Sequence, residues 1–127
     1  MTAILCVGQD DRLLESRSEI LRQKTGAAVK LATSKEALGA IRREKFDLVV
    51  LCHTLNTLEA QQISDAVQDQ VWVPLVLRLS PLWNPDLADT NQPFDGFCSA
   101  EPSSLVNAVA KLLQARAELP ESDVSHV

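Results

Sequence analysis

The sequence predicts an open, doubly wound α/β domain, in which a parallel five-stranded sheet carries helices on both faces. Three observations predict it. Short continuous apolar runs, the pattern of strands covered on both sides, recur five times along the chain. Stretches with apolar residues at helical spacing lie between them. Two of the strand-to-helix junctions carry a residue pair that caps a helix start. At 127 residues and 46% apolar, the chain is long enough for one domain with a substantial core.

The elements follow in order. "AILCV" (3–7) is the first strand. "RLLESRSEILRQK" (12–24) places Leu13, Leu14, Ile20 and Leu21 on one helical stripe, and Gly26 supplies its stop. "AAVKLAT" (27–33) is a weaker second strand. Thr33 and Glu36 in "TSKE" have capping-box spacing, and the helix they open turns Ala37, Leu38 and Ile41 inward. "FDLVVLC" (46–52) is the third strand and the most hydrophobic. Asn56 and Glu59 repeat the capping spacing and open a helix with Ala60, Ile63 and Val67 on one side. "VWVPLVLRLS" (71–80) is the fourth strand. Pro81, Pro85 and Pro93 then interrupt residues 81–93, so a fourth helix there is expected to be short or irregular. "FDGFCS" (94–99) is the fifth strand. A last helix starts at Pro102 to Ser104, with Leu105, Val109, Leu112 and Leu113 as its stripe. The spacings suit right-handed crossovers and a flavodoxin-like (βα)5 sheet of order 2-1-3-4-5, with its site at the C-terminal strand ends. One domain is expected over residues 1–119, and "PESDVSHV" (120–127) reads as a polar, fraying tail.

Composition excludes several functions. The chain has 12 basic and 17 acidic side chains, a net charge of −5, which argues against a non-specific nucleic-acid binder. The loose basic run "IRREK" reads as a solvated helix face. No run approaches the roughly 18 apolar residues of a membrane helix, and "MTAILCVG" lacks the basic start of a signal peptide. A cytoplasmic protein without membrane contact is expected. Cys6, Cys52 and Cys98 are widely spaced and form no Cys-x-x-Cys pair, so neither a disulfide framework nor a structural zinc site is expected. No Gly-rich phosphate loop, Ser-His-Asp order or paired strand-end carboxylates mark an enzyme.

The layout over about residues 3 to 116, and above all "VKLATSKEALGAIRREKFDLVVLCHTL" (29–55), resembles the receiver domain of bacterial two-component response regulators. The matching segments are "EAL" (36–38) and "DLVVLC" (47–52), where the family has "EAL" and then "DLVLLD". The resemblance implies phosphoryl transfer from a histidine kinase to an aspartate at the end of the third strand, a place held here by Cys52. It also implies an acidic pair after the first strand that holds Mg²⁺. Gly8 and Gln9 stand there, with Asp10 at the next position and Asp11 after it. A hydroxyl at the end of the fourth strand corresponds to Ser80, with Leu79 the competing match. The lysine before the proline that follows the fifth strand is replaced by Glu101 or Ala100, ahead of Pro102. With acceptor, metal pair and lysine all missing, the sequence reads as a pseudo-receiver without cofactor or metal. Its expected role is a phosphorylation-independent interaction module for a signalling partner or a second copy of itself.

Two alternatives stay open: a phosphorelay receiver with an unusual acceptor, Cys52 or His53, and a thiol redox switch at Cys52. A thiol there is otherwise an inert core residue, as Cys6 and Cys98 are expected to be. His53 follows Cys52 directly and would face the other side of a strand, so pairing the two needs a loop conformation. Arg78, inside a strand covered on both faces, either reaches solvent over apolar neighbours or fills the emptied pocket and pairs with Asp10 or Glu101. Trp83 either plugs the sheet where a helix is weak or anchors a partner. The terminal "SHV" has the look of a peptide ligand for a PDZ groove.

Overall fold

A computed structural model describes residues 2–80, 95–99 and 101–118. Five parallel strands, β1 (Ala3–Val7), β2 (Ala28–Ala32), β3 (Leu48–Leu51), β4 (Leu75–Ser80) and β5 (Gly96–Ser99), form one sheet in the order β2-β1-β3-β4-β5. Four helices are described: α1 (Asp11–Thr25), α2 (Ser34–Arg43), α3 (Thr57–Gln68) and α4 (Pro102–Glu118). The expected strand order is therefore the observed one. The expected weak helix and Trp83 fall within 81–93, and the tail within 119–127, all outside the described residues.

Strand alternation divides the core into two layers. Ile4 and Cys6, Leu48, Val50 and Cys52, and Leu77 and Leu79 pack with Leu14 and Leu21 of α1 and Leu105 and Val109 of α4. Leu5, Val7, Val49, Leu51 and Val76 point the other way, onto Ala37 and Ile41 of α2 and Ile63 and Val67 of α3. All seven of the β1 and β3 residues Ile4–Val7 and Val49–Leu51 are fully buried, which is why these runs are apolar throughout and do not alternate with polar residues.

The helices start and stop as their sequences dictate. Asp10 caps α1 by accepting from the backbone N–H groups of Arg12 and Leu13. Gly26 ends α1 at φ 70°, a left-handed conformation that strains any residue with a Cβ. Thr33 with Glu36, and Asn56 with Glu59, form complete capping boxes at α2 and α3. These caps turn the chain sharply at the C-terminal edge of the sheet, and so they build the rim of the site.

Strands three and four begin later than their apolar composition suggests. β3 starts at Leu48, which pairs with Leu75 of β4. Residues 71–74 overhang the end of the sheet, and Val71, Trp72 and Val73 are exposed. Trp72 is held there by its Nε1, which donates to the Phe46 carbonyl at 2.9 Å.

Candidate functional site

The strand ends of β1 and β3 bring Gly8, Gln9, Cys52 and His53 together. The ladder continues one residue past each strand: the Gly8 N–H donates to Ala32 O at 3.1 Å, and the Cys52 N–H donates to Val7 O at 2.9 Å. A turn follows, closed by the Leu55 N–H on the Cys52 carbonyl at 3.1 Å.

Gly8 leaves little room for a side chain. A Cβ there would lie 3.0 Å from Thr54 Oγ1, 3.1 Å from Cys52 Cβ and 3.2 Å from Leu14 Cδ2. Gln9 is committed to holding the rim. Its backbone N–H donates to Thr54 Oγ1 at 2.9 Å, and its side-chain amide donates to Ser34 Oγ at 3.1 Å and to Glu59. Ser34 Oγ also donates to Glu59 Oε2 at 3.0 Å, so one carboxylate ties the starts of α2 and α3. The Glu59 carboxyl is held below its usual range, first by the Asn56 backbone N–H and then by Ser34 and Gln9.

This donor set does not fit the Mg²⁺ that the resemblance implies. Mg²⁺ is a hard cation that takes oxygen ligands in octahedral geometry. Glycine has no ligand atom, the Gln9 side chain is engaged, the Asp10 carboxylate accepts from two α1 backbone N–H groups, and Cys52 offers soft sulfur. Among the described residues no group of three or more His, Cys, Asp or Glu side chains is placed to hold a metal ion.

Arg78 does not pair with Asp10 or Glu101. Among the described residues the ion pair is Lys30 with Glu44. Arg78 instead donates from Nη1 to the Cys52 carbonyl at 2.7 Å and from Nη2 to the Leu55 carbonyl at 2.8 Å. The reason is parity: Arg78 shares the face of Val76, so it projects over the α3 side, directly under the turn at 52–55. A planar guanidinium matches two carbonyls with two parallel donors, which a carboxylate partner would have taken away. Arg78 thus has backbone partners in place of the acidic one expected.

Cys52 faces the other layer, beside Cys6 and Cys98. Its Sγ lies 3.9 Å from Cys6 Sγ. All three thiols are free and buried, in keeping with the expected core role of Cys6 and Cys98. The Cys52 thiol is not ordinary, however. It is pulled down to about 7, first by the hydrogen bond with Cys6 and then by the Arg17 and Arg78 guanidiniums, against the opposing effect of burial. Cys6 is pushed up by the same hydrogen bond and by burial, and burial pushes Cys98 up to about 11.

Arg17 is the residue the sequence reading missed. It is 5% exposed, in the core face of α1 between Leu14 and Leu21. Its Nη2 donates to His53 Nδ1 at 3.1 Å, which places the imidazole proton on Nε2. The turn after β3 supplies the loop conformation that brings His53 back over the Cys52 side. Burial lowers the His53 pKa, and Arg17 and Arg78 lower it further, while Asp10 opposes them, so the neutral ring is favoured. The available signal was position: Arg17 is three residues after Leu14 and four before Leu21, on the stripe itself.

Of the other expected residues, Ser80 ends β4 beside Ser99 of β5. Glu101 is exposed, and its carbonyl accepts the Leu105 N–H at 3.0 Å as α4 begins. It does not enter the cluster around Cys52.

No family model matches the sequence, and no curated protein matches it. Solved structures do. The signal receiver domain of a putative LuxO repressor from Vibrio parahaemolyticus superposes with a TM-score of 0.77 at 20% identity, covering 99% of this chain and 98% of that one. The chemotaxis response regulator CheY4 of Vibrio cholerae gives 0.73 at 20% identity, over 88% and 98%. The response regulator TrrA, solved in complex with the histidine kinase ThkA, gives 0.72 at 21% identity, over 89% and 99%. With the strand order and helix placement above, these likenesses establish that the chain has the fold of a response-regulator receiver domain.

Proposed function

We propose that residues 1–119 form a receiver-type signalling domain, with a tail at 120–127, that recognises a protein partner or a second copy of itself without accepting phosphate. One observation carries the reading. Where a receiver presents its phospho-accepting aspartate, at the end of β3, this chain has a buried cysteine, and Arg78 fastens the turn that follows. A receiver's switch depends on that turn and its neighbours rearranging around a phosphoryl group and its cation. Here the turn is fixed by the chain's own guanidinium.

The neighbouring positions support the same reading. Gly8 and Gln9 supply no carboxylate for Mg²⁺, and Glu101, in the place of the lysine, has the wrong charge to bind a phosphoryl oxygen. No catalytic turnover is assigned to the domain, because among the described residues no nucleophile, base and oxyanion donor converge. A protein is the partner class that fits, as it does for TrrA with its kinase. Exposed Leu58, Val71, Trp72 and Val73 offer apolar surface of the kind interfaces use. The acidic net charge disfavours nucleic acid, none of the described helices is long and apolar enough to cross a membrane, and the cytoplasm is the expected compartment.

The test is an NMR titration with Mg²⁺ and beryllofluoride, which mimics a phosphoryl group on a receiver aspartate. The amides of Gly8, Cys52 and Ser80 are expected to stay in place. Saturable shifts at those amides would replace this reading with the phosphorelay one.

A further inference from the structure

Arg17 raises a problem that the interaction role does not solve. A guanidinium is always charged, and burying one without a counter-charge is costly. Arg17 is 95% removed from solvent, the complement of its 5% exposure. No carboxylate among the described residues reaches it. Its Nη2 meets a neutral His53, and its Nη1 is buried with no hydrogen-bond partner. The groups around it are the thiols of Cys6, Cys52 and Cys98, on whose protonation Arg17 acts in each case. Cys52 is the thiol best placed to relieve the buried charge. It adjoins the His53 that Arg17 holds and lies 3.9 Å from Cys6, and it is the one thiol of the three pulled down, while Cys6 and Cys98 are pushed up.

We propose that Cys52 is a peroxide-reactive thiol, carried as the counter-ion of Arg17, whose oxidation product is a sulfenic acid with its oxygen on the unpartnered Arg17 Nη1. The thiolate attacks one oxygen of hydrogen peroxide. An S–O bond forms, the O–O bond breaks, and hydroxide leaves and takes a proton to become water. The sulfur loses two electrons and the peroxide gains them. This site is independent of the proposed interaction role, and its failure would leave that role untouched.

With dilute peroxide the sulfenic acid forms first, and it does not condense with Cys6. Cys6 lies opposite Val50, and Cys52 lies two residues beyond Val50, just past the end of β3. Strand spacing and rise then put the two Cα atoms about 8 Å apart. A disulfide needs less than about 7 Å, so the close sulfurs cannot join without strand movement. Access comes from the turn at 52–55. Cys52 is 1% exposed, and the turn is held by its own hydrogen bond and the two from Arg78. Local opening of this turn admits peroxide. The charged and titratable groups facing Cys52 are Cys6 from β1, Arg17 from α1, Arg78 from β4, Cys98 from β5 and the adjoining His53, with Asp10 and Glu59 beyond His53 and Arg78.

The experiment treats the full chain with dilute hydrogen peroxide and dimedone between pH 5.5 and 9, and reads adducts by intact mass and peptide mapping. One dimedone adduct, on Cys52, is expected, with a rate that rises with pH to a half-point near 7. Without dimedone the chain gains one oxygen and does not lose two hydrogens. Arg17→Met should move the half-point up towards the ordinary thiol value of 9.0, and Arg17→Lys should hold it nearer the wild type. Circular dichroism checks that both variants fold. The proposal is overturned if the adduct falls on Cys6 or Cys98, if none forms although the urea-unfolded chain reacts, or if folded Arg17→Met keeps the wild-type half-point.

Discussion

Replacing Arg78 by methionine removes the clamp under the turn while keeping an unbranched side chain on the strand. Two charge-assisted hydrogen bonds are lost, at 2.7 and 2.8 Å. Bonds of this type contribute about 1.5–3 kcal/mol each when dry. The full sum does not apply here, for two reasons. The guanidinium is half-buried, so water replaces part of it, and the Cys52 carbonyl keeps the Leu55 N–H as a donor. The Leu55 carbonyl loses the donor that Arg78 gives it. A net loss of about 2 kcal/mol follows. For a domain of this length that lowers the melting midpoint by about 7 °C. Differential scanning calorimetry reads the global loss, and amide hydrogen exchange reads the local one, as faster exchange at Cys52 and Leu55. Arg78→Lys, with one ammonium for two carbonyls, should recover about half. An unchanged midpoint together with unchanged exchange at both amides would refute the idea that Arg78 fastens this turn.

Gly8→Asp, which restores an acidic residue beside Cys52, should not create a Mg²⁺ site. Its Cβ would crowd Thr54, Cys52 and Leu14 at 3.0–3.2 Å, and urea melts should show a loss of about 1–3 kcal/mol with or without Mg²⁺. Asn56→Ala deletes the acceptor of the Glu59 N–H at 2.8 Å and should cost about 1 kcal/mol by the same assay. Stability under reducing conditions should rise between pH 7 and 9. The Cys52 thiol is depressed in the folded chain to about 7 from an ordinary 9.0, so its contribution is present above 9 and lost as pH falls through 7, a difference of the order of 2 kcal/mol. Cys52→Ala should flatten that rise. A rise that persists in the variant would show that another group carries it.

Much of the fold was legible because burial on both faces leaves an unmistakable apolar run. "AILCV" became β1 at its predicted bounds, and the two capping boxes formed as their spacing required. "VWVP" misled because Val and Trp suit a strand, yet strandness there depends on a neighbour. β3 does not extend far enough to pair with residues 71–74. The site was half legible. Position along the strands located Gly8, Gln9 and Cys52, but not what replaces the missing chemistry. Arg78 was expected either to reach solvent over apolar neighbours or to pair with a carboxylate, and strand parity gave it two carbonyls. Arg17 looked like helix surface because it is charged. Its place on the Leu14–Leu21 stripe was the better guide, and its Nη2 meets His53 there.

The proposal that the end of β3 does not accept phosphate rests on Cys52 in the acceptor's expected place, on Gly8 and Gln9 where cation ligands are expected, and on the turn that Arg78 fastens. Intact mass spectrometry after incubation with acetyl phosphate and Mg²⁺ tests this most directly. The account predicts an unmodified chain at all times and concentrations. A stoichiometric phosphoryl adduct mapping to Cys52 or His53 would contradict it.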